Sequence, residues 1–198
     1  MLVTNKAPNF TANAVMGDNK IVEGFKLYDN FGKNGTVVFF YPMDFTFVCP
    51  SEIIAFDHRL DEFKQRGINV IGVSVDSEFS HFAWKNTPVK EGGIGNIRYP
   101  LVADITKQIS RDFDVLLNES VALRGSFLID KDGTVRHAVI NDLPLGRNID
   151  EMLRMVDTML YTNEHGEVCP AGWNKGDKAM KADKSGVADY LSNNAEKL

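Results

Sequence analysis

Residues 36–41, Thr-Val-Val-Phe-Phe-Tyr, form an unbroken run of β-branched and aromatic side chains that ends at Pro42. A run without polar alternation is typical of a strand that is buried on both faces of a sheet. Residues 68–75, Ile-Asn-Val-Ile-Gly-Val-Ser-Val, have the same character and predict a second buried strand. Because both faces of such strands must be covered, the pattern predicts an α/β fold with helices on the sheet.

The remaining pattern alternates helices and strands. Ile53, Phe56, Leu60 and Phe63 recur at helical spacing until Gly67, which predicts one helix that begins near residue 49. Further elements are predicted as short helices at 80–86 and 106–113, a hairpin with strands at 126–129 and 134–140 around Asp-Lys-Asp-Gly, and a final helix over 149–160.

Beyond Tyr161 apolar residues become sparse, and Gly, Lys, Asp and Asn dominate from Gly172 onward. The sequence therefore predicts a domain at residues 1–161 and a C-terminal tail at residues 162–198 that packs on another surface.

Charge and hydropathy exclude several classes of function. The net charge of −5 disfavours a nucleic-acid partner. No apolar run approaches the roughly 20 residues of a membrane span, so we expect no membrane partner. The N-terminus lacks the apolar core of a secretory signal, and a cytoplasmic location is the expectation.

Cys49 is predicted to lie at the start of a helix, followed by Pro50 and Glu52, which both suit a first helical turn. A lone cysteine is about as often an inert core residue as a reactive one. The positive end of a helix, however, favours a thiolate, which is the reactive form. Upstream, the Thr46 hydroxyl can hydrogen-bond to a substrate oxygen, and Pro42 can wall a pocket without presenting an N–H group.

Three other kinds of site are disfavoured. A disulfide reductase needs Cys-x-x-Cys, but Pro50, Ser51 and Glu52 follow Cys49. The four histidines show no paired spacing for a metal, and His165-x-x-x-Cys169 alone is weak. The glycines at 92, 93 and 95 do not form a dinucleotide-binding fingerprint. We therefore expect no metal and no cofactor.

Two motifs resemble a known family. Pro42-x-x-x-Thr46-x-x-Cys49 is similar to the active-site loop of the peroxiredoxins. Val168-Cys-Pro-Ala-Gly-Trp173 resembles the resolving-cysteine segment of the typical two-cysteine subfamily, and the likeness includes residues 123–127 and 141–147. The resemblance implies a thioredoxin-like α/β fold, in which helices flank a central mixed sheet and a C-terminal tail follows.

The resemblance also implies an antioxidant peroxidase that reduces hydrogen peroxide and small organic hydroperoxides. Cys49 would be the peroxidatic nucleophile, and Pro42, Thr46 and Arg124 would complete its pocket. Glu52 and Arg147 would orient the Arg124 guanidinium from behind. Without the motif, we would interpret Thr46 as an ordinary loop residue with a hydroxyl group. We would interpret Arg124 as a surface residue beside a strand.

Cys169 would then attack the sulfenic acid formed on Cys49. Sequence separation does not decide whether both sulfurs belong to one chain. The resemblance implies an intersubunit disulfide in a homodimer, with the dimers assembling into a decameric ring. It also implies thioredoxin as the electron donor, with a flavoprotein disulfide reductase as the alternative. A ring-forming holdase chaperone is the alternative function, as a second activity.

Two segments resemble elements that slow local unfolding in this family. They are Gly92-Gly-Ile-Gly95, which otherwise reads as a flexible loop, and the pair Tyr190-Leu191. Four aromatic residues suit either packing or an interface and are predicted to be packing residues, namely Phe45, Phe47, Trp84 and Trp173.

Overall fold

The strand predicted at residues 36–41 lies inside a seven-stranded sheet in a computed structural model that describes residues 1–197. Nine strands occur in this part of the chain: β1 (Thr11–Val15), β2 (Ile21–Lys26), β3 (Gly35–Phe40), β4 (Ile68–Ser74), β5 (Leu101–Ala103), β6 (Leu116–Leu117), β7 (Val121–Ala122), β8 (Arg124–Asp130) and β9 (Val135–Asn141). The seven-stranded sheet has the order β2-β1-β5-β4-β3-β8-β9, and β6 pairs with β7 separately.

The helices of the described residues are α1 (Cys49–His58), α2 (Leu60–Gln65), α3 (Glu78–Lys85), α4 (Gln108–Asp112), α5 (Ile149–His165) and α6 (Lys184–Asn194). Short 3-10 turns occupy Tyr28–Asn30, Val89–Glu91 and Ala195–Lys197. Within residues 1–197, none of the helices combines the length and the apolar character that crossing a membrane requires.

The sheet is mixed, as predicted. β3 and β5 each pair parallel to β4, whereas β8 pairs antiparallel to β3 and to β9. All six residues of β3 are buried, which explains why its sequence shows no polar alternation. The hairpin turn is also confirmed, because Asp130 Oδ1 accepts hydrogen bonds from the backbone of Asp132 and Thr134 at 3.0 and 2.9 Å.

The helical pattern after Cys49 is interrupted, so the prediction of one continuous helix is wrong. Arg59 leaves the helical conformation with φ −102° and ψ 6°, and it separates α1 from α2. The two helices nevertheless keep one apolar face, because the Phe56 ring stacks 4.3 Å from Phe39 and lies 6.0 Å from Phe63. Since no glycine or proline marks the break, apolar spacing alone could not reveal it.

Two compact units make up the structure, Met1–Ile149 and Asp150–Leu198. The first unit contains the sheet and its buried core. The second contains nearly all of α5 and the whole of α6, which is capped by Asp183, whose side chain accepts a hydrogen bond from Gly186 N at 2.7 Å. The boundary predicted after residue 161 falls within α5 and stays a prediction.

Candidate active site

Cys49 is the first residue of α1 and is completely buried. The loop of residues 41–48 brings the chain from β3 to this position, as the sequence predicts. Val48, which precedes the helix, makes no side-chain capping bond, and Pro50 lies in the first turn. The sulfur is therefore placed at the end of a helix where the dipole and unpaired N–H groups favour a negative charge.

The Thr46 hydroxyl lies 3.0 Å from the Cys49 sulfur and 2.8 Å from the carbonyl oxygen of Met43. A hydroxyl has one proton to donate and can also accept. It can donate to Met43 and accept from the Cys49 thiol, or it can turn and donate to the thiolate. Thr46 can therefore stay hydrogen-bonded to this sulfur in either protonation state.

Arg124, the first residue of β8, contacts the same Cys49 sulfur. Its Nη1 nitrogen is 3.3 Å from Cys49 Sγ, and its Nε nitrogen donates to the carbonyl of Leu143 at 2.7 Å. The side chain is only 4% exposed, so little water screens its charge. The guanidinium therefore favours the thiolate of Cys49 and provides further donors for a bound oxygen.

Glu52 links two arginines one helical turn after Cys49. Its Oε2 oxygen accepts from Arg124 Nη1 at 2.7 Å and from Arg147 Nη2 at 3.1 Å. Its Oε1 oxygen accepts from the backbone N and the Nε of Arg147 at 2.9 and 3.0 Å. All three side chains are at least 96% buried. With the Cys49 thiolate the group contains two positive and two negative charges, so no net charge is buried.

Arg147 is bound to the ends of two strands. It donates to the carbonyl of Gly125 at 2.8 Å and to that of Phe40 at 2.5 Å, and its guanidinium lies 5.2 Å from the centre of the Phe39 ring. Burial lowers the pKa of Arg147 below its ordinary value, and Glu52 opposes that effect. The structure thus places Glu52 and Arg147 directly behind Arg124.

Pro42 is buried immediately after Tyr41, at the beginning of the loop. Its part in a substrate pocket stays a prediction.

A buried polar network, which the sequence did not indicate, fixes the first half of the loop. Asp44 accepts hydrogen bonds from Tyr41 Oη at 2.9 Å, from Ser80 Oγ at 2.8 Å and from His81 Nδ1 at 2.8 Å. His81 Nε2 lies 3.2 Å from the Val102 carbonyl, so an Nε2–H group can donate to it. Burial raises the pKa of Tyr41 well above its ordinary value, which keeps the phenol protonated as a donor. The motif spacing pointed to Thr46 and Cys49 but contained no signal for Asp44.

Cys169 lies in the second unit and is half-buried, and both cysteines are free thiols. Its sulfur is 3.8 Å from the Thr162 hydroxyl of α5. Among residues 1–197, no group of three or more His, Cys, Asp or Glu side chains is arranged to hold a metal ion.

The aromatic predictions divide into two groups. Trp84 and Trp173 are 0% and 2% exposed, so they are packing residues as predicted. Phe45 and Phe47 are 54% and 97% exposed, and their prediction as packing residues is wrong for the single chain. Both lie on the loop before Cys49, and the Phe45 ring lies 5.7 Å from that of Trp84, tilted at 38° to it.

The glycine segment is more ordered than a flexible loop. Ile94 is 2% exposed, and a Cβ on Gly93 would lie 1.9 Å from the Thr87 carbonyl oxygen, so only glycine fits there. In the tail, Tyr190 is 8% exposed whereas Leu191 is 44% exposed. Their effect on local unfolding stays a prediction.

Comparison with known families matches both units. Residues 3–138 match the AhpC/TSA family, and residues 159–193 match the C-terminal domain of 1-Cys peroxiredoxin. Cys49 lies within the first of these matched regions, and Cys169 lies within the second.

Individual proteins agree with the family match. The chain is 67% identical over its full length, and over the full length of the relative, to alkyl hydroperoxide reductase C of Helicobacter pylori. It is 51% identical to peroxiredoxin-2 of Mus musculus, with 96% of this chain and 95% of that protein covered. The crystal structure of reduced 2-Cys peroxiredoxin from Plasmodium vivax superposes with a TM-score of 0.94 at 49% identity, covering 97% of this chain and 99% of the other. The buried cysteine beside a threonine and an arginine, the mixed sheet and these matches together establish that the chain belongs to the AhpC/TSA family and is a peroxiredoxin enzyme.

Proposed function

We propose that the protein reduces hydrogen peroxide and small organic hydroperoxides through a sulfenic acid on Cys49. The observation that carries this proposal is the position of the buried Cys49 sulfur between the Thr46 hydroxyl at 3.0 Å and the Arg124 guanidinium at 3.3 Å. A hydroxyl and a fixed positive charge on one sulfur suit a nucleophile that must be a thiolate before it reacts.

In the first step the thiolate attacks the terminal peroxide oxygen. An S–O bond forms, the O–O bond breaks, and the attacked oxygen keeps its proton in the sulfenic acid. The departing oxygen leaves as hydroxide or alkoxide and takes a proton from solvent. Negative charge develops on that oxygen, and preorganised donors lower the barrier because they need no reorganisation during the reaction. Arg124 and the Thr46 hydroxyl are such donors.

In the second step Cys169 condenses with the sulfenic acid to give a disulfide. We propose that this disulfide joins two subunits of a homodimer, and that the dimers assemble into a ring of ten subunits. The side chains of Phe47 and Phe79 are 97% and 68% exposed, which supports self-association because aromatic residues are enriched in protein–protein interfaces.

We further propose a thioredoxin-type electron donor. A structural relative from Plasmodium yoelii is described as a thioredoxin peroxidase, whereas the Helicobacter pylori relative is described as an alkyl hydroperoxide reductase. Because of the second description, a flavoprotein disulfide reductase remains the alternative electron donor.

One experiment tests the cycle. Purified protein is mixed with hydrogen peroxide, and NADPH oxidation is followed with either a thioredoxin system or a flavoprotein disulfide reductase. We expect steady turnover with thioredoxin, none for Cys49→Ser, and a single turnover for Cys169→Ser. Turnover of the Cys49 variant at the wild-type rate would contradict the proposal. Suppression of client aggregation by that same inactive variant would instead establish a holdase activity.

A further inference from the structure

The sulfur of Cys169 has a hydroxyl partner on α5. Thr162 Oγ1 lies 3.8 Å from Cys169 Sγ, within reach of the long hydrogen bonds that sulfur makes. Thr162 is not part of either cysteine motif. Its position near the end of α5 directs the side chain to the segment that contains Cys169.

The segment around Cys169 is fixed on both sides, so this contact is not a chance approach of two mobile groups. On the N-terminal side, Val168 and Met180 exchange backbone hydrogen bonds at 2.9 and 3.0 Å, and Tyr161 Oη donates to Glu167 at 2.8 Å. The residues on the N-terminal side of Cys169 are therefore hydrogen-bonded both to Met180 and to α5.

On the C-terminal side, Arg154 Nη1 donates to the Trp173 carbonyl at 2.7 Å, and the Trp173 ring lies 5.0 Å from that of Tyr161. The hydrogen bond that Arg154 donates to Glu151 is the largest cause that raises the pKa of Arg154, and the negative charge of a Cys169 thiolate adds to it. Tyr161 of α5 is also affected by the charge of Cys169, after its hydrogen bond to Glu167, which is the largest cause that raises the pKa of Tyr161.

We propose that the Thr162 hydroxyl donates a hydrogen bond to the Cys169 thiolate and thereby sets the pH range in which that thiolate attacks. The inference rests on the proposed function of Cys169 as the resolving cysteine. In the step concerned, the Cys169 thiolate forms an S–S bond with Cys49, and the S–O bond of the sulfenic acid breaks. The oxygen leaves as hydroxide and takes a proton to become water, so one sulfur is oxidised and the other is reduced.

A donated hydrogen bond has two opposite effects on this step. It raises the fraction of Cys169 that is thiolate, and it lowers the nucleophilicity of each thiolate. Nucleophilicity changes by only about 0.4–0.5 of a logarithmic unit for each unit of basicity. At low pH the gain in population therefore exceeds the loss in nucleophilicity, and the hydroxyl accelerates resolution. At high pH, where the thiol is already ionised, only the loss remains, and the hydroxyl slows it.

The test compares Thr162→Val, which keeps the branched shape without the hydroxyl, with Thr162→Ser, which keeps the hydroxyl. Disulfide formation after one equivalent of peroxide is followed by rapid mixing and quenching between pH 5 and pH 10. For each tenfold decrease in the acid dissociation constant of the Cys169 thiol, we expect the valine variant to be about threefold slower at low pH and about threefold faster at high pH. Its pH–rate curve should cross that of the wild type, whereas the serine variant should follow the wild type.

Two outcomes separate the inference from the function on which it rests. The rate of sulfenic acid formation on Cys49 is measured in the same samples and should be equal in all three proteins, which also shows that the variants fold. If that rate is normal but the curves for Thr162→Val and wild type do not cross, the role of Thr162 is wrong and the peroxidase proposal stands. If wild-type Cys49 forms no sulfenic acid, the proposed function itself fails.

Discussion

The Nη1 nitrogen of Arg124 lies 3.3 Å from the sulfur of Cys49, although the two residues are 75 positions apart in the sequence. The same nitrogen is 2.7 Å from Glu52, so the guanidinium cannot rotate away without losing a buried ion pair. The positive charge of Arg124 is consequently in place beside the sulfur before any peroxide binds, which is the condition for electrostatic preorganisation.

Replacing Arg124 should slow the first step strongly. We expect Arg124→Ala to lower the rate of sulfenic acid formation by about 10²–10³, the cost of removing one preorganised donor in other enzymes. Thiolate absorbance should also appear at higher pH, because a neighbouring positive charge is lost. Rapid mixing with peroxide and a spectrophotometric titration measure the two effects.

The matched control is Arg111→Ala, since Arg111 pairs with Glu119 at the surface and its side chain is 45% exposed. This variant should react at the wild-type rate. If Arg124→Ala leaves both the rate and the titration unchanged, Arg124 does not contribute to the reaction at Cys49.

Thr46 should contribute through its hydroxyl alone. We expect Thr46→Val to slow peroxide attack by about ten- to a hundredfold, the range for one hydrogen bond to a charged group. Thr46→Ser should remain close to wild type because it keeps the hydroxyl. If rapid mixing finds the valine and serine variants equally fast, or equally slow, the hydroxyl is not what Thr46 provides.

Peroxide should link two chains. After one equivalent, a non-reducing gel should show a dimer band that disappears on adding a reductant and is absent from Cys169→Ser. This follows from the proposed bridge between Cys49 of one subunit and Cys169 of another. A band that stays monomeric while both thiols are consumed would instead establish a bridge within one chain.

The tail should influence overoxidation. A second peroxide can convert the sulfenic acid to sulfinic acid, which cannot form a disulfide, so slower resolution means more inactivation. Leu191 is 44% exposed, and a phenylalanine there offers more apolar area for packing. We expect Leu191→Phe to raise the sulfinic fraction of Cys49 in a peroxide titration followed by mass spectrometry, and deletion from Gly186 onward to lower it.

Leu191→Met is the control for the tail, because it preserves the volume of the side chain. It should give the wild-type titration. Superimposed curves for the phenylalanine variant, the deletion and the wild type would show that the tail does not govern resolution.

The sequence predicted the parts of this structure whose signals are local. β3 and β4 are mainly apolar and almost entirely buried, and the β8–β9 turn is determined by Asp130 and Gly133 within a few residues. The position of Cys49 at the start of α1 follows from a strand, a loop and a proline in direct succession. Each of these signals can be read within a short window of the chain.

Other features depend on contacts between distant residues and could not be derived from such windows. Glu52 meets Arg147 across 95 positions, and only the family resemblance suggested that pairing. β2 was missed because only one of its six residues, Phe25, is buried, and α6 because Tyr190 is its one buried side chain among the described residues. Elements that bury so little leave almost no hydrophobic pattern.

The buried contacts of Asp44 divide the loop before Cys49 into two halves with different freedom. Residues 41–44 are tied to α3 through Ser80 and His81. From Phe45 to Val48 the loop has exposed aromatic rings, and the first turn of α1 has no side-chain cap. The proposed disulfide requires Cys49 to leave its buried position, and we expect the backbone to pivot just after Asp44 when it does. We expect residues 41–44 to keep their contacts with α3 during this movement, so that Cys49 can return to the same position after each proposed cycle.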